Sequence, residues 1–199
     1  FIFAGLAAVA CSTTDTNVNR PSNRAGNQSA LSSAANTVGS AANTVANTVS
    51  NTAAAVTTPA ADTFLKEAAQ GGMAEVEMGN LASKKAQNPE VKKFGQMMVT
   101  DHSAANSELK ALATKKNIPI PTDVGSHRST IDKLSSSTGA DFDKAYVDLM
   151  VDDHEDDVAA FEKQASSAAD PDVKSFAAKT LPVLKKHLEA IKAIQAKIK

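Results

Sequence analysis

The chain has 199 residues, 21 of them Lys or Arg and 22 Asp or Glu, which leaves a formal net charge of −1. That is room for one domain with a real core and some surplus. The balanced charge, no Trp and one Tyr exclude a basic, aromatic-lined nucleic-acid surface, and a single cysteine, Cys11, excludes an internal disulfide or a zinc site built on several thiolates.

The opening FIFAGLAAVAC is an apolar run ending in small residues before Cys11. Residues 1–10 read as the remainder of a signal peptide. Ala8-Val9-Ala10-Cys11 resembles a bacterial lipoprotein processing site, at which Cys11 becomes the lipidated first residue. Ala8 stands where such sites usually carry Leu, so plain secretory cleavage and a retained anchor stay open. The visible run is shorter than the roughly 20 residues a span needs. The expectation is a periplasm-facing protein attached to the membrane, by preference the outer one, through a lipid on Cys11.

Residues 11–61 are a different material, with Asp15, Arg20 and Arg24 as the only charges and SAANTVG at 33–39 recurring as SAANTVA at 40–46. So little apolar surface does not offset the entropy of ordering, so this segment is expected to be a disordered tether. A sparse stripe of Leu31, Val38, Val45, Val49 and Val56 leaves open a weak helix that docks on a partner.

From Asp62 to residue 199 the apolar pattern turns helical, in four segments. Asp62 is expected to cap the first, through about Ala86. Asn88-Pro89-Glu90 is a cap, a first-turn proline and a favourable acid, opening the second through about Lys116. Thr138 and Asp141 resemble a capping box for the third, through about Ser166. Asp170-Pro171 opens the fourth, in which Pro182 should introduce a kink. Few residues join the first pair or the last pair, so each is an antiparallel hairpin, and the long stretch NIPIPTDVGSHRSTIDKLSSSTG between them can cross the length of a bundle. The expected fold is all-α: a ferritin-like four-helix bundle, two antiparallel hairpins joined by a long crossover.

At 100° per residue, each apolar stripe carries one titratable intruder. Glu75 falls about 20° from Phe64 in the first helix, while Glu77 faces away. His102 lies among Phe94, Met98, Ala105 and Leu109, with Asp101 at the edge. His154 lies among Val147, Met150, Val158 and Phe161, with Asp157 one turn on. His187 lies between Leu184 and Ile191. Asp152, Glu155 and Asp156 point to solvent, and His127 in the crossover is expected on the surface. All four intruders stand about 12–15 residues into their helices, so at 1.5 Å per residue they share one height.

A buried carboxylate without a partner is costly, and Glu75 requires a cation or a donor. Neutral imidazoles with a carboxylate, Glu75, His102, His154, His187 and Asp157, make a set for one transition ion, zinc, iron, manganese or copper. A metal-free, hydrogen-bonded Glu–His cluster meets the same need. Met78, Met98 and Met150, one turn away, read as packing.

The segments AEVEMGNLA, VKKFGQMMVTDHSAANSELKALA, DFDKAYVDLMVDDHEDDVAAFE and KTLPVLKKHLEAI together resemble a bacterial envelope family that is a domain of unknown function, often labelled "outer membrane protein". The resemblance spans roughly residues 62–198 and implies export and a ferritin-like fold, without an activity. Di-iron members of the wider ferritin-like group carry Glu-x-x-His on two helices. Here Val99 and Leu184 stand where those acids belong, and only His154-x-x-Asp157 has an acid at that spacing. Three functions remain open: a non-enzymatic metal-binding envelope protein, a redox or oxidative-stress enzyme on a degenerate site, and a structural protein that needs no metal.

Overall fold

The computed structural model describes residues 58–198. The expectations for the signal segment, the Cys11 lipidation site and most of the tether lie outside the described residues. Within them the chain is all-helical: α1 Pro59–Lys85, α2 Pro89–Lys115, a 3-10 turn at Gly125–His127, α3 Arg128–Ser136, α4 Gly139–Ser167 and α5 Pro171–Gln195. None of these helices is long and apolar enough to cross a membrane.

Three helices open as a proline in the first turn demands. Asn88 accepts from the Glu90 amide at 2.8 Å, and Asp170 accepts from Asp172 and Val173 at 2.9 and 3.2 Å. The first helix departs from expectation. It starts at Pro59, one turn early, and its cap is Thr58, which accepts from the Ala61 amide at 3.3 Å. Asp62 sits in the first turn and pairs with Lys66 at 3.0 Å. Thr138 precedes α4 without capping it through its side chain, so the expected capping box does not form. The crossover also holds α3, which the sequence reading left as connection. Its Ile131 and Leu134 are buried against the other helices.

Neighbouring long helices run antiparallel. Along α1 and α2, Gly72 meets Asn106 and Gly79 meets Gly95, so numbers rise on one side as they fall on the other. The same holds for α2 and α5, where Glu108–Lys179 and Lys115–Asp172 pair at 2.7 and 3.0 Å, while Glu90 pairs at 2.9 Å with Lys197 just past the end of α5. It holds for α4 and α5 through Glu162–Lys185 at 2.6 Å and His154 beside His187. The crossover lies along α1, with Gly125 beside Gln70, Arg128 in a two-bond fork on Glu77 at 2.6 and 2.8 Å, and Lys85 donating to the Ser135 carbonyl.

Each turn between paired helices is held by a buried charge from elsewhere. Asp143 of α4 accepts from the Gln87 and Asn88 amides, the shortest contact being 2.7 Å. Lys116 reaches Asp170 at 2.7 Å, both side chains buried. The apolar interior forms two separate clusters. One gathers Met78, Phe94, Met98, Phe142, Tyr146 and Met150; the other gathers Leu65, Leu109, Phe161, Val173, Phe176 and Leu184. Along α2, α4 and α5 the border between them falls at His102, His154 and His187, and along α1 it falls between Ala69 and Met73, just before Glu75.

Candidate metal centre

Glu75, His102, His154 and His187 come from four different helices and are 2, 5, 0 and 2% exposed, respectively. The imidazole centroids stand 5.4–5.6 Å apart in all three pairings, and one ring nitrogen from each lies within 4.8 Å of the others. The shared height expected from helix rise is therefore met in space.

The outward contacts of two rings fix their tautomers. His154 Nδ1 lies 2.9 Å from the Met150 carbonyl, a group that only accepts, so Nδ1 carries the proton and donates. His187 Nε2 lies 2.9 Å from Asp101 Oδ2 and donates to it in the same way. What remains is His154 Nε2 facing His187 Nδ1 at 3.4 Å, each with a bare lone pair when neutral. Two lone pairs at that distance repel unless a proton or a cation lies between them. Two nitrogens bound at about 2.0–2.1 Å to one tetrahedral ion are about 3.3–3.4 Å apart, which is the separation found. A histidine whose far nitrogen donates to a carboxylate or a carbonyl is the usual arrangement behind a metal ligand.

Glu75 closes the set. Its Oε2 approaches His102 Nδ1 at 2.7 Å and its Oε1 approaches His154 Nδ1 at 3.5 Å, yet neither oxygen is aligned to receive a hydrogen bond. His102 Nε2 is also buried without a partner. Unpaired buried polar atoms are costly, and three of them meet here. Burial, reinforced by the charge of Asp153, holds the Glu75 carboxyl well above the usual carboxylate range. Burial depresses all three imidazoles, His154 to about 3 with the other two rings adding to the effect. Asp101 works against that depression at His187. Without an added cation the cluster is therefore neutral, a protonated Glu75 among neutral rings. The donor set and its orphaned atoms fit a transition ion.

The remaining candidates fall as follows. Asp157 is half-buried and lines the same cavity as Glu75, His102 and His187. Burial pushes its carboxyl up. Asp152, Glu155 and Asp156 are exposed, as their wheel positions require. Met78, Met98 and Met150 are fully buried in the apolar cluster beside the rings. His127 stands apart from the cluster, but it is half-buried where the sequence placed it on the surface, because the crossover packs on α1.

Sequence reasoning placed Asp101 at a stripe edge and gave it no role; its hydrogen bond runs to another helix, which a single wheel cannot show. Tyr146 was also missed. It is wholly buried, stacks on Phe142, and is separated from His154 by Phe94, with centroid steps of 6.3 and 6.1 Å. Its hydroxyl has no partner, and burial keeps it protonated.

Beside the four residues is a small cavity of about 30 Å³, walled by Ala68 and Gly72 of α1, Ala105 and Leu109 of α2, Phe161 of α4, and Phe176 and Leu184 of α5. Thr180, Val183 and Asp101 line it where α2 and α5 adjoin, and Val183 is 38% exposed.

The family model for a domain of unknown function, DUF4142, matches residues 46–194. Among curated proteins none matches. Similar solved structures include a DUF305 fragment from Deinococcus radiodurans, at 12% identity and TM-score 0.62, covering 70% of this chain and 97% of that one. Another is CopM in its Cu(II)-bound form, at 16% identity and TM-score 0.59, covering 69% and 96%. A DUF305 protein from Streptomyces coelicolor, described as secreted, has 15% identity and TM-score 0.59, covering 69% and 93%. At these identities the likeness is one of fold.

Proposed function

We propose that this chain, which belongs to the DUF4142 family of domains of unknown function, is an exported protein that binds one transition ion among Glu75, His102, His154 and His187. The observation that carries this reading is the pair of facing lone pairs on His154 and His187, each set by an acceptor behind it. Glu75 supplies the negative charge and Asp101 orients His187 from behind. Three imidazoles and one carboxylate suit copper(II) or zinc, which stand high in the divalent affinity order. The likeness to CopM in a copper-bound form favours copper for the first trial.

The finer architecture is part of the same reading. Antiparallel neighbours and a crossover lying along α1 support a ferritin-like four-helix bundle, with α3 an addition to the crossover. Likeness to a secreted DUF305 protein supports export, and a lipid on Cys11 would provide the membrane attachment. Mass spectrometry of the mature N-terminus tests that attachment; an unmodified Cys11, or cleavage elsewhere, removes it.

The test of the ion site uses protein purified without a polyhistidine tag and titrated with copper(II) or zinc. One ion per chain is expected. His102→Ala or His154→Ala should weaken binding by about two orders of magnitude, at least what loss of an orienting partner costs. Far-UV circular dichroism establishes that each variant is folded. Tyr146 is the chain's one tyrosine, with no tryptophan beside it in the emission, so copper(II) should quench its fluorescence at one equivalent. Failure to retain any ion after loading would leave the cluster a packing element.

A further inference from the structure

We propose that the ion's coordination is completed by a single exchangeable water in the cavity between α2 and α5, so that the centre has one open position. This rests on the metal reading above and extends it to the ligand that the protein does not supply. Glu75, His102 and His187 line the cavity, whereas His154 is wholly buried outside it. An ion held by these four residues would thus border the cavity, which is where a further ligand has access.

Size selects the occupant. A volume of about 30 Å³ has room for water, since about 10–15 Å³ of such space holds one molecule, and a stable buried water needs two to four polar partners. The ion itself, Asp157 and the Glu75 oxygen not held by the ion would provide them. Both Glu75 oxygens and His102 Nε2 lack partners within the protein. Three carboxyl groups in one small wall, Glu75, Asp101 and Asp157, disfavour an anion, and Ala68, Leu109, Phe161, Phe176 and Leu184 offer no polarity for a larger donor. A neutral oxygen donor of one heavy atom fits, with Asp157 placed to accept one of its hydrogens. Exchange proceeds past Thr180 and Val183, where the cavity meets the exposed side of α5. Sites whose protein ligands close the coordination shell are structural, whereas an added water marks one that can exchange ligands.

The copper(II)-loaded full-length protein is examined by electron paramagnetic resonance in ordinary and in oxygen-17-enriched water. Broadening of the copper signal by the enriched solvent is expected. Ala68→Leu and Ala105→Leu each place three more carbons in or across the cavity, and each should abolish the broadening while copper stoichiometry stays at one. A wild type that holds copper without broadening overturns the proposal, as does broadening retained in both variants. Loss of copper from both variants overturns it too, because the space would then belong to the ion itself. A wild type that binds no copper or zinc defeats the metal reading instead.

Discussion

Protonation of one carboxyl decides how the ion-free centre meets a cation. Burial holds Glu75 protonated when the site is empty of charge, and the same burial keeps the three imidazoles neutral. An ion must displace the Glu75 proton but no histidine proton. Because burial raises Glu75, its proton competes with the ion until pH climbs through that raised value, so apparent affinity should strengthen with rising pH. Calorimetric titration in buffers of different protonation enthalpy should show about one proton released per ion near neutrality. Glu75→Gln should abolish that release. An unchanged release in the variant would assign the proton to another group, with Asp157 next in order.

At this scale the sequence was informative where one helix holds the whole argument. Glu75, His102, His154 and His187 each interrupt an apolar stripe, and a wheel shows it. Asp101 and Asp143 were illegible because their partners, His187 and the Gln87 and Asn88 amides, lie on other elements.

Among the helices, α1 and α2 come into close backbone contact where they carry glycine. A Cβ on Gly95 would lie 2.7 Å from Ala82 Cβ, 2.8 Å from the Gly79 carbonyl oxygen and 3.0 Å from the Ser83 nitrogen. Two of those three atoms are backbone and cannot swing aside. Gly95→Ala should thus destabilise by about 1–3 kcal/mol despite alanine's better helix propensity. Gly71 is the contrast: nothing lies within 4 Å of a Cβ there, so Gly71→Ala should stabilise by up to about 1 kcal/mol. Urea unfolding of both variants checks the pair, and equal effects would show that propensity alone governs.

Helix starts at Asn88 and Asp170 were readable because cap and proline adjoin in sequence. Thr58 was missed because the apolar pattern begins a turn after the cap. The helix α3 was missed because Ile131 and Leu134 offer too short a stripe to distinguish it from connection. No property of the GQMM stretch alone announces that Gly95 touches another backbone.

For the molecule as a whole, the polar set lies at the border of two apolar clusters, so filling it should stabilise both. An ion present at 100 times its dissociation constant and bound only by the folded form adds about 2.7 kcal/mol. For a body of this size that is on the order of 10 °C in melting temperature. Differential scanning calorimetry with and without zinc, and again after a chelator, should show the rise and its reversal. A melting temperature unmoved by an ion known to be bound would mean that the unfolded chain binds it equally well.

The split core also bears on how the helices find their alignment. Leucine and methionine pack nearly as well after one helix slides along its neighbour by a turn, about 5.4 Å. Hydrogen-bonding groups tolerate no such slip. Shifting α5 by one turn would leave His187 among apolar side chains and Asp101 without its imidazole. The single hydrophilic rung contributed by all four long helices therefore works as a vernier, allowing one longitudinal setting of the rods and penalising its neighbours on either side.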